Sequence, residues 1–190
     1  MSDVTVTNPA APQVLPNPQD KLAWLFPGTL GDLAFGFSKP CPSEDKTSEE
    51  YQEWAAEVTQ LAATQDAKAN SMLGEVIFVR HVFAHPVLMS NEDAKDGAPE
   101  YTEGTRTVLI DADGYRIGMT SDFAIRGLQT VFQLFGHPTT WAKPVPIRIR
   151  QQETNTKGRR VFTLEVVRPS ELKDVTTDGP GESRPHSRKR

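Results

Sequence analysis

Thr105-Arg-Thr-Val-Leu-Ile-Asp-Ala-Asp-Gly-Tyr-Arg-Ile-Gly-Met-Thr120 reads as two short strands joined at a turn, and the fold follows from what flanks it. Thr105–Asp111 is dense in apolar and β-branched residues. Asp113-Gly114 is a two-residue hairpin signal, because both central positions of a type I′ turn need φ > 0. Tyr115–Thr120 then returns antiparallel. Downstream, Ala124, Leu128, Val131, Phe132 and Phe135 recur at helical spacing, Ser121 or Asp122 can cap the start, and Gly136 before His137-Pro138 ends the pattern. That predicts one helix of about four turns. Beyond it, Val145, Ile147 and Ile149 alternate with Pro146, Arg148 and Arg150, and Phe162, Leu164 and Val166 alternate with Val161, Thr163 and Glu165. These are two strands of a hairpin whose tip, Glu153–Arg160, is polar and cationic.

Upstream, Met72–Met89 is the longest β-rich stretch; at that length a strand should bend strongly or break, with a glycine or bulge at the corner. Ser90–Glu103 reads as a polar loop. The order of elements is therefore β-β-β-α-β-β, the order of the OB-fold, a five-stranded Greek-key barrel with its helix between strands three and four. Leu128, Val131, Phe132 and Phe135 would plug one end. An unrelated α+β sheet with two helices on one face is the alternative architecture.

Before the barrel, Thr47-x-x-Glu50 has the form of a capping box. Tyr51, Trp54, Ala55, Val58, Leu61 and Ala62 follow as one apolar stripe, with acids in the first turns where the helix dipole favours them. Core packing is the expected role of Trp54. The chain thus divides into a flexible Pro, Gly and aromatic arm (1–43), an acidic amphipathic helix (44–70), the barrel (71–169) and a disordered tail with a basic end (170–190). Trp24–Phe37, with Trp24, Phe26, Phe35 and Phe37 among glycines, is expected to dock on its own domain or on a neighbouring subunit or partner.

A single cysteine, Cys41, excludes an internal disulfide and any multi-cysteine zinc site, and fits a reducing compartment. No stretch has the cationic start and apolar core of a leader or the length of a membrane helix, so a soluble, cytoplasmic protein is expected. The net charge of −4 hides a segregation: Glu44–Asp66 sums to −6, whereas Lys143–Arg168 sums to +5. A cationic hairpin on an acidic protein points to a localised anion-binding face.

Asp111-Ala-Asp-Gly-Tyr115, the helix ending Gln129-Thr-Val-Phe-Gln-Leu-Phe-Gly136, and the hairpin of Pro146-Ile-Arg-Ile-Arg150 with Gly158-Arg-Arg-Val-Phe-Thr-Leu-Glu-Val166 resemble single-stranded DNA-binding proteins of bacteriophages and related mobile genetic elements. The resemblance spans about Met72–Val167. It implies an OB-fold that coats DNA exposed in replication or recombination. Unlike the bacterial single-strand binders, which end in an acidic partner-recruiting tip, this chain ends in Arg184, Arg188, Lys189 and Arg190.

Binding a single strand needs cations along the phosphates and flat side chains beneath the bases. Arg148 and Arg150 should face solvent opposite Ile147 and Ile149, and Lys157, Arg159 and Arg160 sit at the hairpin tip. Arg80, Arg106 and Arg116 fall in the first three strands, near the aromatic residues Phe78, Phe83, Tyr101 and Tyr115. Phe78, Tyr115 and Trp141 are the stacking candidates; core packing is the plainer role of Phe78 and Tyr115, and capping the barrel is the alternative for Trp141. No enzyme constellation emerges. Asp111 and Asp113 are explained by a turn, since an EF-hand loop places its glycine elsewhere. His81 and His85 share a strand face without a third ligand, glycines 28, 31 and 36 lack the Lys-Ser/Thr of a P-loop, and Cys41 has no His partner. The expected function is a non-catalytic single-stranded DNA-binding protein without cofactor or metal. The alternative is an assembly module that binds protein through the barrel and the arm; an RNA-binding OB-fold is a nearer variant.

Overall fold

In a computed structural model of the chain, residues 35–90, 101–153 and 160–176 are described. The elements run as β1 (Gly36–Phe37), α1 (Glu49–Ala63), β2 (Ala67–Lys68), a 3-10 turn (Ala69–Met72), β3 (Val76–Ser90), β4 (Tyr101–Asp111), β5 (Arg116–Met119), α2 (Asp122–Phe135), a second 3-10 turn (Pro138–Thr140), β6 (Val145–Glu153), β7 (Arg160–Val166) and α3 (Pro169–Thr176). The strands form one mixed sheet in the order β2-β5-β4-β3-β6-β7, with β1 also on β3, curled into a half-barrel. All neighbours are antiparallel except β2 on β5.

β3 is the spine. One edge carries β4 from Val79 to Ser90; the other carries β6 along Val76–Val79 and then β1 at Phe83-Ala84. The register shifts between Val79 and His81, so Arg80 is the extra residue of a bulge, at the place where the strand changes partners. The bulge shifts the alternation by one residue. Ile77, Val79, Val82 and Ala84 face the inside with Leu109, Ile117, Met119, Ile147 and Ile149, and α2 closes over them with Ala124, Ile125, Leu128 and Val131. Phe83 faces outward, where Val108 and Ile110 join it under Leu61 of α1, with Phe35 and Phe37 packed at the side. Burial on both faces explains why Val82-Phe-Ala84 and Val108-Leu-Ile110 are unbroken apolar runs rather than alternating ones. At about 1.5–3 kcal/mol for each fully buried large side chain, the two layers dominate stability.

Several sequence expectations change. Thr47 does not cap α1; the Asp45 carboxylate captures its amide and hydroxyl, and Ser48 caps instead, accepting from the Tyr51 amide. The polar loop after Ser90 is shorter than expected, because β4 already begins at Tyr101; residues 91–100 lie outside the described set. The β4–β5 turn is not type I′. Only Gly114 has positive φ, +83°, the Gly114 amide donates to the Asp111 carbonyl, and the Asp111 carboxylate accepts from the amides of Asp113 and Tyr115. The loop is a type I turn followed by a left-handed glycine, and Asp111 replaces the second positive φ as its organiser. Phe135 is 46% exposed rather than a plug, because α2 ends there at Gly136, φ +79°. Pro169–Thr176 is helical where a disordered tail was expected; the expectations for residues 1–34 and 177–190 lie outside the described residues.

The half-barrel does not close by hydrogen bonds: among the described residues β5 and β7 do not pair. β2 lies on the outer edge of β5 and α2 spans the gap onto β7. A Cβ at Gly127 would stand 3.0 Å from Leu164 Cβ and 3.2 Å from its backbone nitrogen, so the glycine relieves crowding where the helix crosses β7. Ser121 Oγ completes the bridge by donating to the Phe162 carbonyl at 3.4 Å.

Candidate functional site

The outer surface of the sheet has two halves. α1 covers the half over β1, β4 and the C-terminal part of β3. The half over β6, β7 and the N-terminal part of β3 carries Phe78, Arg80, Pro146, Arg148, Arg150, Thr163 and Glu165, since each lies opposite in phase to the buried Ile77, Val79, Ile147 and Ile149. Phe78 stands directly across from Pro146, and Arg148 across from Val76 on β3 and from Glu165 on β7.

The cations predicted from sequence do not share one environment. Arg148 is 13% exposed and donates from Nη1 to Glu171 Oε2 of α3 at 2.7 Å. That hydrogen bond is the main reason the Glu171 carboxyl titrates below the ordinary carboxylate range. Arg148 therefore clamps α3 to β6 instead of presenting a free guanidinium. Arg150 bonds Glu165 Oε2 through Nε at 2.8 Å, with both side chains about half exposed. Arg160 sits at the tip opposite Glu153, with 3.8 Å from Nε to Oε1, and its phase puts it on the inner face with Phe162 and Leu164. Arg80 is exposed on the bulge and has no hydrogen bond or ion pair to its guanidinium among the described residues. Lys157 and Arg159 lie outside the described residues.

Two arginines expected in the nucleic-acid set hold α1 in place. Arg106 donates from Nη1 to the Ala62 carbonyl at 2.8 Å and from Nη2 to Gln65 Oε1 at 3.1 Å, and burial draws its guanidinium below the usual value. Arg116 pairs with Asp66 at 3.2 Å, while its own amide donates to the same carboxylate oxygen at 2.8 Å. Trp141 is half-buried: its indole N–H donates to the Gly136 carbonyl at 2.9 Å and its ring meets Phe132 edge-on, so it caps α2 rather than offering a platform. Tyr115 packs against the inner core. Phe78 is half-buried on the outer face of β3, across from Pro146.

The structure also holds an open cleft of about 690 Å³ that sequence patterns do not announce. It lies along the unpaired seam, lined on one side by Gln65, Lys68, Asn70 and Arg106, on its floor by Gly118 and Met119, and across from them by Phe162 of β7. Sequence signals for it are weak. Ala67-Lys68 has no strand pattern, and Phe162 reads as one more apolar position of an alternating strand. Gly118 is the one clue: a Cβ there would fall on the Gln65 side chain.

Among the described residues no helix is long and apolar enough to cross a membrane. No protein-family model, curated protein or solved structure matches the chain.

Proposed function

We propose that the chain is a non-catalytic single-stranded DNA-binding protein on an OB-type barrel, coating DNA exposed in replication or recombination with little sequence preference. The observation that carries this is the outer face of β3 and β6, where Phe78 lies across from Pro146 with Arg80 two residues along β3 and Arg150 further along β6, on the hairpin whose sequence beyond Glu153 is basic. Cations beside an aromatic ring on a strand surface are what a sequence-tolerant single-strand site requires. Strand order supports the barrel: β3 lies between β4 and β6, β4 pairs with β5, β6 with β7, and α2 intervenes between β5 and β6, as in a partly open five-stranded Greek-key barrel. The Arg150–Glu165 pair does not oppose phosphate binding, because ion pairs this exposed contribute only about 0–1 kcal/mol and a phosphate can replace the carboxylate. An assembly module acting through the aromatic arm would have to use residues other than Phe35 and Phe37, which are engaged with Trp54 and Phe83.

Fluorescence anisotropy of labelled single- and double-stranded oligonucleotides at two salt concentrations tests the proposal. Binding should favour the single strand and fall with salt, and Arg80→Ala with Arg150→Ala should flatten the salt slope by about 0.7 for each phosphate that is no longer neutralised. Equal, weak binding to both substrates, or no binding, would overturn it. Matched RNA competitors decide which sugar is preferred.

A further inference from the structure

We infer that the open seam between β5 and β7 is a nucleotide pocket, in which a base stacks on Phe162 and its phosphate meets Lys68 and the outward side of the Arg106 guanidinium. The inference deepens the single-strand reading and rests on it for the source of the nucleotide.

Four observations converge. The cleft, about 690 Å³, falls within the roughly 300–1,000 Å³ of small-molecule sites. In an acidic protein, its described lining contains Lys68 and Arg106 and no Asp or Glu, so its charge selects an anion. Its aromatic wall, Phe162, is half-buried and packed against the inner core, and the Ser121 hydroxyl donates to its backbone carbonyl. Its remaining polar groups are of the kind that read base edges: Asn70, Thr64, Thr120 and the Gln65 amide. Because Gln65 Oε1 already accepts from Arg106, the orientation of that amide is fixed with Nε2 as a donor, and no described residue takes its hydrogens. An anion site, a flat ring and directed amide donors together suit a nucleotide better than an inorganic ion or an aliphatic acid.

The location adds a path. Arg160 and Phe162 share the inner face of β7, two residues apart, so a strand gripped at the hairpin tip can continue along that face and drop one base into the seam. Closure of the seam by a strand pair would remove the site; α2 holds the walls apart while leaving it open.

The test uses the full-length protein and two probes: oligodeoxythymidylate carrying one 5-iododeoxyuridine, and thymidine 5′-monophosphate. After irradiation, adducts are mapped by mass spectrometry, and affinities are measured for wild type, Phe162→Leu and Lys68→Gln. Lys68 is exposed and its replacement leaves the core untouched; near-UV circular dichroism verifies the fold of both variants. Expected are adducts on Phe162, a loss of oligonucleotide affinity of about tenfold for Phe162→Leu, and a loss of about threefold with a flatter salt slope for Lys68→Gln. Tight oligonucleotide binding that both variants retain, with adducts confined to the outer face around Phe78, would overturn the pocket and leave the single-strand reading standing. Monophosphate binding with a Phe162 adduct, but no oligonucleotide binding, would uphold the pocket for free nucleotides and overturn that reading. Binding of neither probe would overturn both.

Discussion

At the scale of single residues, the arginines show how a charge can be read from sequence without its partner. Arg106, Arg116 and Arg148 are cationic side chains on strands, which their sequence positions make plain, but their partners Gln65, Asp66 and Glu171 are 41, 50 and 23 residues away, beyond any local pattern. Gly118 is the tightest of these arrangements. With alanine there, the Cβ would push the flexible Gln65 amide aside and Arg106 would lose a hydrogen bond, so Gly118→Ala should lower stability by no more than about 1 kcal/mol in urea titrations. Titration behaviour follows from burial and pairing. His81, His85 and His137 are all held below the ordinary imidazole value, chiefly by burial, with Arg106 adding to the effect at His85. An unfolded histidine therefore takes its proton first: the stabilisation is complete above about pH 6.5 and is lost as pH falls through the lowered folded values. Glu171, lowered by Arg148, contributes above about pH 4.3 and loses that contribution as pH falls through its own depressed value. Urea midpoints against pH should accordingly decline in two separate limbs. His85→Gln should shallow the upper limb and Glu171→Gln the lower; if each variant's curve ran parallel to wild type, these assignments would fail.

Whole elements are easier to read than their joints. The periodicities of α1, α2, β6 and β7 are plain because each buries one face against a continuous layer. The bulge at Arg80 is legible only as a demand for curvature, since nothing local says which residue is extra. The turn at Asp113-Gly114 is legible as a turn but not as its type, because the Asp111 side chain supplies the hydrogen bonds that a second positive φ would otherwise arrange. β2 leaves no trace, being two residues long. The contact of α2 with β7 yields a prediction of sign. Alanine for glycine inside an exposed helix ordinarily gains about 0.8–1 kcal/mol. At Gly127 the new Cβ would meet Leu164 Cβ at 3.0 Å and its backbone nitrogen at 3.2 Å, in a strand pinned by β6. Overpacking of this kind costs about 1–3 kcal/mol, so Gly127→Ala should fail to raise the melting temperature and should lower it if β7 cannot shift.

At the scale of the molecule, β3 and β4 join two apolar layers that share no side chains but share backbone. Mainly β architecture and a curled sheet are legible from the order of elements; the open seam is not, since it depends on which edges fail to meet. Shared strands should make the layers one cooperative unit. Trp54 rests against Phe35 and Phe37 on the α1 side, and Trp141 against Phe132 on the α2 side. Fluorescence of Trp141→Phe and Trp54→Phe variants should therefore follow the same urea curve as far-ultraviolet circular dichroism, and separated midpoints would show two units. The clamp of Arg106 on the Ala62 carbonyl has a consequence for the ribosome. α1 is rich in acids, has no basic residue in its last turn and borrows its terminal positive charge from β4. It leaves the exit tunnel about fifty residues before Val108 and Ile110, the residues that will cover its stripe, which at about 5–20 residues per second is a wait of some seconds. Until those residues have been translated, the segment lacks both the layer that covers its stripe and the arginine at its C-terminal end.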